Sequence, residues 1–239
     1  MALRIDILTL FPDYFSSPFS VSLIKRAIEK NLIDIRTHNL RQYCLDKHQT
    51  ADDVSYGGGA GMVLKPEPMA RAIRQIIKKR KTTVIYLSPQ GQVFNHAWAM
   101  ELSRRRSMFL ICGHYEGIDE RIVDKYVDEE ISLGDFVMTG GEPAAAAIVD
   151  AVVRLRPGVV QSVESIEKDS FYDGGLDYPH YTKPRQFEKM DVPSVLLSGN
   201  HLQIQQWRRK AALKKTQSRR PDLFQKMMLS DEDRKLLSE

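Results

Sequence analysis

Cysteine is scarce: Cys44 and Cys112 are the only two in 239 residues. They lie far apart and form no CxxC pair, which argues against a disulfide framework or a cysteine-bound zinc and fits a reducing compartment. Long apolar runs are missing as well. The longest, Ala144 to Val149, sits between Glu142 and Asp150 and is far too short to cross a bilayer. Arg4 and Asp6 interrupt the apolar start of the chain, so no signal-peptide core is expected and the sequence reads as cytoplasmic, with no membrane partner. No strong charge of one sign is present either: 35 Lys and Arg face 31 Asp and Glu, a net +4. That balance permits a polyanionic partner without demanding one. There is no GxGxxG between a strand and a helix, no GxxxxGK[ST] and no HxxxH or HExxH, which removes the dinucleotide fingerprint, the P-loop and the common histidine metal motifs. What is present is ordinary globular chemistry, 42% hydrophobic and 28% charged, which excludes a largely disordered chain.

The first 160 residues alternate strand-like and helix-like segments. Ile5–Leu10, Ile33–Thr37, Thr82–Leu87, Met108–Cys112 and Glu130–Leu133 suit strands. Ser20–Asn31, Glu67–Lys79, Asn95–Arg106, Ile118–Lys125 and Glu142–Leu155 suit helices, the second started by Pro66-Glu67-Pro68. Leu40–Lys65 is expected to be irregular, being rich in glycine and polar residues. This rhythm predicts an α/β fold, with a mostly parallel sheet covered on both faces. Val160–Arg185 shows little periodicity and is broken by Gly174-Gly175, Pro179 and Pro184, as in a linker or lid. Helical spacing returns after Asn200. The expected organisation is therefore an α/β domain over 1–160, a linker or lid over 161–185 and a small all-helical domain over 186–239.

Four glycines crowd into Tyr56-Gly57-Gly58-Gly59-Ala60-Gly61-Met62, so this stretch is either a mobile surface loop or a place that needs positive φ or close backbone approach. Asp52-Asp53, just upstream, are solvating charges or lie near a cation or a base. Three further glycine-bearing segments fall where strands end: Leu87-Ser88-Pro89-Gln90-Gly91, Cys112-Gly113-His114-Tyr115-Glu116-Gly117, and Leu133 to Glu142. Each alone is an ordinary turn. Together they favour one shared cleft, because open parallel sheets bind ligands at the carboxyl ends of their strands. His96 and His114 are read as structural.

Basic residues occur in three acid-free clusters, Arg71–Lys81, Arg104–Arg106 and Arg208–Arg220. Such runs are commonly solvated faces, yet Trp207 beside the last one also suits a helix that tracks RNA phosphates.

These segments, in this order, resemble the signatures of the bacterial tRNA (guanine-N1)-methyltransferases, the TrmD type, in the knotted SPOUT superfamily. The likeness also rests on Ile118-Asp119-Glu120-Arg121, Asp169-Ser170-Phe171, Pro179-His180-Tyr181-Thr182-Lys183-Pro184 and Leu196-Leu197-Ser198-Gly199-Asn200-His201, and it runs from Ile5 to about Leu223. It implies a deep C-terminal trefoil knot, S-adenosylmethionine as methyl donor, tRNA as substrate and a homodimer whose two subunits complete each active site. By this resemblance the cofactor would contact Tyr86, Leu87, Ser88 and Pro89, then Gly113, Tyr115, Glu116 and Gly117. From the third segment come Leu133, Gly134, Asp135, Phe136, Val137, Met138, Gly140 and Gly141. RNA contacts would fall on Asp52, Gly59, Ser198, Asn200, His201, Arg208 and Arg209. A magnesium ion is also implied, with ligands that the sequence does not assign.

The implied reaction is methylation of guanine N1 at position 37 of tRNA. N1 carries a proton at neutral pH, so a base is needed within reach, and negative charge then develops on O6. The resemblance makes Asp169 the base and Arg154 the group that stabilises O6; read by itself, Arg154 is equally a helix-end residue favourable to the macrodipole. Pro143 stands one place earlier than the family pattern, so Ala144 is left out of the site. Ser55 replaces a usual proline, and Gln161-Ser162-Val163 replaces a stretch usually rich in Gly, Asn and Glu. Alternative functions are a related knotted enzyme acting on a ribose 2′-hydroxyl and a non-catalytic RNA-binding protein.

Overall fold

Side chains alternate along each central strand and so sort the core into two layers. The computed structural model describes residues 2–78 and 81–238; Lys79 and Arg80, of the first basic cluster, lie outside the described residues. In chain order the elements are β1 (Leu3–Thr9), α1 (Ser22–Glu29), β2 (Ile33–Asn39), β3 (Asp52–Val54), β4 (Met62–Leu64), α2 (Pro66–Ile77), β5 (Thr83–Val93), α3 (His96–Arg104), β6 (Ser107–Cys112), α4 (Glu120–Tyr126), β7 (Glu129–Ser132) and α5 (Glu142–Val153). Five strands form one parallel sheet in the order β2-β1-β6-β5-β7. Leu3, Ile5 and Ile7 of β1, Ile85 and Leu87 of β5, and Met108, Leu110 and Cys112 of β6 face α1, α3 and α5. Leu8, Val84, Tyr86, Phe109 and Ile111 point the other way, onto α2 and α4. Burial on both faces explains why these strands read as nearly unbroken apolar runs.

One residue departs from that pattern. Asp6 lies within β1 yet is 1% exposed, where it accepts hydrogen bonds from Arg4 Nε at 2.7 Å and lies 2.8 Å from His38 Nε2 on the neighbouring strand. Burial pushes its carboxyl up, but the His38 and Arg4 bonds outweigh that and hold it below the ordinary carboxylate value.

Two expected irregular stretches carry structure instead. Residues 40–65 contain a 3-10 turn, Leu40–Tyr43, and the antiparallel pair β3–β4, with Asp52 opposite Leu64. Strands of three residues are too short to show alternation. The segment expected as a loop after β5 is an excursion inside it: Leu87 and Gln92 both pair with Ile131 of β7, so residues 88–91 bulge out between them. Gly91 permits this, since a Cβ there would collide with the backbone of Glu130 and Ile131.

The chain divides into two compact units, with the boundary between Gln161 and Ser162. The second unit holds α6 (Val163–Glu167), β8 (Gln186–Phe187), β9 (Met190–Asp191), α7 (His201–Arg219), α8 (Pro221–Phe224) and α9 (Asp231–Ser238). An all-helical domain was expected; the β8–β9 hairpin corrects this. Its turn residues, Glu188 and Lys189, both take positive φ, 49° and 66°, as a tight hairpin turn requires, but neither is the Asn or Gly that advertises such a turn. The stretch expected as a linker belongs to this unit, where Leu176 N donates to Thr216 Oγ1 of α7 at 2.9 Å. Arg209 of α7 donates to Asp233 of α9 at 2.7 and 3.0 Å and to Asp173 at 2.5 Å. Among the described residues no helix is long and apolar enough to cross a membrane.

Candidate active site

Backbone hydrogen bonds draw the glycine-bearing segments into one cleft in the first unit. The segment after β6 is stitched on one side to β4: Glu116 N donates to Met62 O at 3.0 Å, Leu64 N to Gly117 O at 3.0 Å and Asp119 N to Leu64 O at 3.1 Å. On its other side Gly141 N donates to Gly113 O at 2.9 Å, and His114 bridges Gly140. The cleft left between these segments and the β5 bulge measures about 330 Å³, within the roughly 300–1,000 Å³ of small-molecule sites.

Glycine is required here for two separate reasons. At Gly113 and Gly141 the reason is space: a Cβ would lie 2.9 Å from the Tyr86 hydroxyl in the first case and 2.8 Å from Cys112 Cα in the second. In the upstream cluster the reason is backbone conformation. Gly57, Gly58, Gly59 and Gly61 take φ of 87°, 78°, 115° and 93°, while a Cβ on any of the first three would meet nothing within 4 Å. Only Gly61 is crowded as well, by the Glu116 side chain.

Of the residues expected around the cofactor, Tyr86, Leu87, Ser88, Pro89, Gly113, Tyr115, Glu116, Gly117, Leu133, Gly134, Phe136, Val137, Met138, Gly140 and Gly141 line this cleft; Asp135 does not. Tyr115 stands there with a positive φ of 58°, an uncommon conformation for an aromatic residue. Burial pushes the Tyr86 phenol above its ordinary value, against the pull of a hydrogen bond from the Ile118 backbone. Ala144, left out because of the shifted proline, also lines the cleft. So does His114, read from sequence as structural. Its Nδ1 is buried without a hydrogen-bond partner, and its ring packs against Phe11 and Tyr115 at centroid distances of 5.0 and 4.7 Å. Its place between Gly113 and Tyr115 was the available signal.

The expected reacting residues are divided between the units. Arg154 caps the C-terminus of α5 in the first. Asp169 follows α6 in the second, on a separate cavity of about 300 Å³ that Asp173, Asp177, Arg208 and Arg209 also line. Of the expected RNA contacts, Asp52 lies in β3 and Gly59 in the loop joining β3 to β4. Asn200 caps α7 by accepting from Gln203 N at 3.2 Å, Ser198 Oγ accepts from Asn200 N at 3.1 Å, and His201 opens the helix, exposed. Arg208 stacks over the Tyr178 ring at 4.8 Å, and Arg209 is held in its carboxylate pairs. Among the described residues no group of three or more His, Cys, Asp or Glu side chains could hold a metal. They offer no protein cage for magnesium.

Comparison with known proteins points in the direction of these motifs. The profile of the family described as tRNA (Guanine-1)-methyltransferase TrmD matches residues 3–226. A tRNA (guanine-N(1)-)-methyltransferase of Dictyoglomus turgidum is 55% identical over 237 residues, covering 99% of this chain and 96% of that protein. Proteins of the same name from Clostridium novyi and Dehalococcoides mccartyi are 53% and 52% identical, over 99% of this chain and 98% and 96% of theirs.

Proposed function

Because the chain belongs to the tRNA (guanine-1)-methyltransferase family, we propose that it transfers a methyl group from S-adenosylmethionine to N1 of guanosine 37 of tRNA, just 3′ of the anticodon. The observation that carries this reading is the convergence of the glycine-bearing segments on one cleft, whose lining includes Gly113, Gly117, Gly134, Gly140 and Gly141. At those glycines the backbone amide and carbonyl groups are free to meet the edges of a nucleoside. S-adenosylmethionine, when bound, supplies an electrophilic methyl group. Tyr86 to Pro89, Gly113, Tyr115 to Gly117, Leu133, Gly134, Phe136 to Met138, Gly140 and Gly141 would hold and bend it.

The remaining work falls to this chain's own side chains. Asp169 takes the proton from guanine N1, and Arg154 donates to O6 as negative charge develops there. Asp52, Gly59, Ser198, Asn200, His201, Arg208 and Arg209 would meet the RNA. We infer a homodimer in which two copies complete each site, a reading supported by Phe136 and Val137 at the cleft, 55% and 87% exposed. We also infer the trefoil knot, supported by the return of the Gly140-Gly141 segment to the end of β6. The 161–185 segment would then serve as a lid over the bound tRNA. We infer a cytoplasmic enzyme, as suits a tRNA substrate.

The test is incubation with labelled S-adenosylmethionine and an unmodified tRNA transcript, followed by nucleoside mapping. N1-methylguanosine at position 37 is the expected product. A ribose 2′-O-methyl group would move the protein to a related knotted activity, and binding without transfer would make it an RNA-binding protein.

A further inference from the structure

A second cavity in the second unit, of about 560 Å³, is unlike the one beside Asp169. The Asp169 cavity includes five carboxylates among its lining side chains. This one is lined by Lys183, Arg185 and Arg208 and by no carboxylate, while Leu196, Leu197 and Ile204 form an apolar floor. Tyr178 and Arg208 line both cavities, so they stand in the wall between them.

The cavity is also unusually aromatic. Tyr181 is 49% exposed and is backed by Trp207 at a centroid distance of 6.2 Å. Tyr178 and His180 lie 4.7 Å apart, with His180 anchored 2.7 Å from Asp177. The Arg208 guanidinium lies over Tyr178 at 4.8 Å, and its Nε is buried with no acceptor in the protein. A buried donor left unsatisfied costs free energy, and a ligand phosphate is one acceptor that would meet it. Exposed rings beside a cation, in a cavity that no carboxylate lines, are the chemistry that holds a single-stranded nucleotide, with the base on the ring and the phosphate on the arginine.

We propose that this cavity is a nucleotide-stacking site: one unpaired nucleotide of the tRNA places its base against Tyr181 and its phosphate on Arg208. Tyr181 is a positioning residue for the RNA and takes no part in methyl transfer. The proposal rests on tRNA being the substrate, and two separate readouts tell its failure from the failure of that reading.

The first readout is intrinsic fluorescence. The chain has two tryptophans, so Trp98→Phe, in the other unit, leaves Trp207 as sole reporter. Titration with a short single-stranded oligoribonucleotide should change Trp207 emission, and inorganic phosphate over the same range should not. The second readout is steady-state methylation of tRNA by Tyr181→Leu and Tyr181→Phe. Leucine keeps the apolar bulk without a ring face and should raise KM for tRNA by roughly tenfold, the loss expected for one stacked base, with the change falling on KM rather than kcat. Phenylalanine should restore the wild-type KM. An unchanged KM for Tyr181→Leu, or an equal response of Trp207 to inorganic phosphate, overturns the stacking site while leaving the methyltransferase reading intact. An RNA-dependent Trp207 signal without N1-methylguanosine supports the site and removes that reading.

Discussion

Thr9 Oγ1, at the end of β1, donates a 2.6 Å hydrogen bond to Glu142 Oε1, at the start of α5, joining residues 133 apart in sequence. Both residues are buried, at 1% and 4% exposure. The same hydroxyl accepts from Phe11 N at 2.8 Å, so a single oxygen ties the turn after β1 to the helix that follows the Gly140-Gly141 side of the cleft. Glu142 stands in the first turn of α5, where unpaired backbone N–H groups favour an anion. Burial, and secondarily the Glu142 charge, push the neighbouring Cys112 thiol well up, which keeps it an inert core thiol.

Replacing Thr9 by Val keeps the shape and removes the hydroxyl, stranding Phe11 N and one Glu142 oxygen. The expected loss is about 1–3 kcal/mol in unfolding free energy, read as a lower urea midpoint. Thr9→Ser should recover most of it, and a midpoint equal to wild type would show the bond to be idle.

Gly141→Ala places a Cβ 2.8 Å from Cys112 Cα and 3.1 Å from Gly113 N. Backbone cannot swing aside as a flexible side chain can, so the Gly113–Gly141 contact must open. Calorimetric titration should show S-adenosylmethionine affinity falling by roughly tenfold or more. Gly57→Ala is the control. Its Cβ has open space and pays only the left-handed backbone penalty, about 1 kcal/mol, and donor affinity should stay at the wild-type value.

Asp169→Ala should abolish methyl transfer while leaving donor binding nearly unchanged, as follows for a base that acts only on the guanine. Arg154→Ala should slow single-turnover transfer by roughly 100-fold, the scale of one lost donor to a developing oxyanion. Wild-type rates for the Asp169 variant on tRNA would refute the assigned base.

The Asp6 carboxyl is held below its ordinary value, so its contribution to stability has a defined direction with pH. It is fully present above the unfolded aspartate value of about 3.9 and is lost as pH falls through the lower folded value. Asp6→Asn should therefore be less stable than wild type at pH 7 by about 1–3 kcal/mol, with the gap shrinking at pH 3. A gap that stays constant between the two pH values would remove the charge from the argument.

Much of the fold was legible because a doubly covered parallel sheet leaves a strong local trace. The apolar run Ile5 to Leu8, broken only by Asp6, and the spacing of Met69, Ile73 and Ile76 reflect burial that each segment carries on its own face. The glycine-bearing segments of the cleft were legible for the same reason, since positive φ and close approach restrict residue type locally. What escaped was set by partners distant in sequence or by very short elements. Strands β3 and β4 span three residues each, and the β8–β9 turn bends through Glu188 and Lys189 without a glycine.

By itself, then, the sequence determined the α/β class and the two apolar layers, because burial acts residue by residue. Only the tertiary structure decided that the Ser88–Gly91 segment is a bulge within β5, that His114 has a buried nitrogen without a partner, and that Arg208 stands in the wall between an acidic cavity and a carboxylate-free one while its neighbour Arg209 is taken up by Asp173 and Asp233. Two adjacent arginines on one helix look alike in a charge run. What separates them is the set of groups that folding brings within 3 Å.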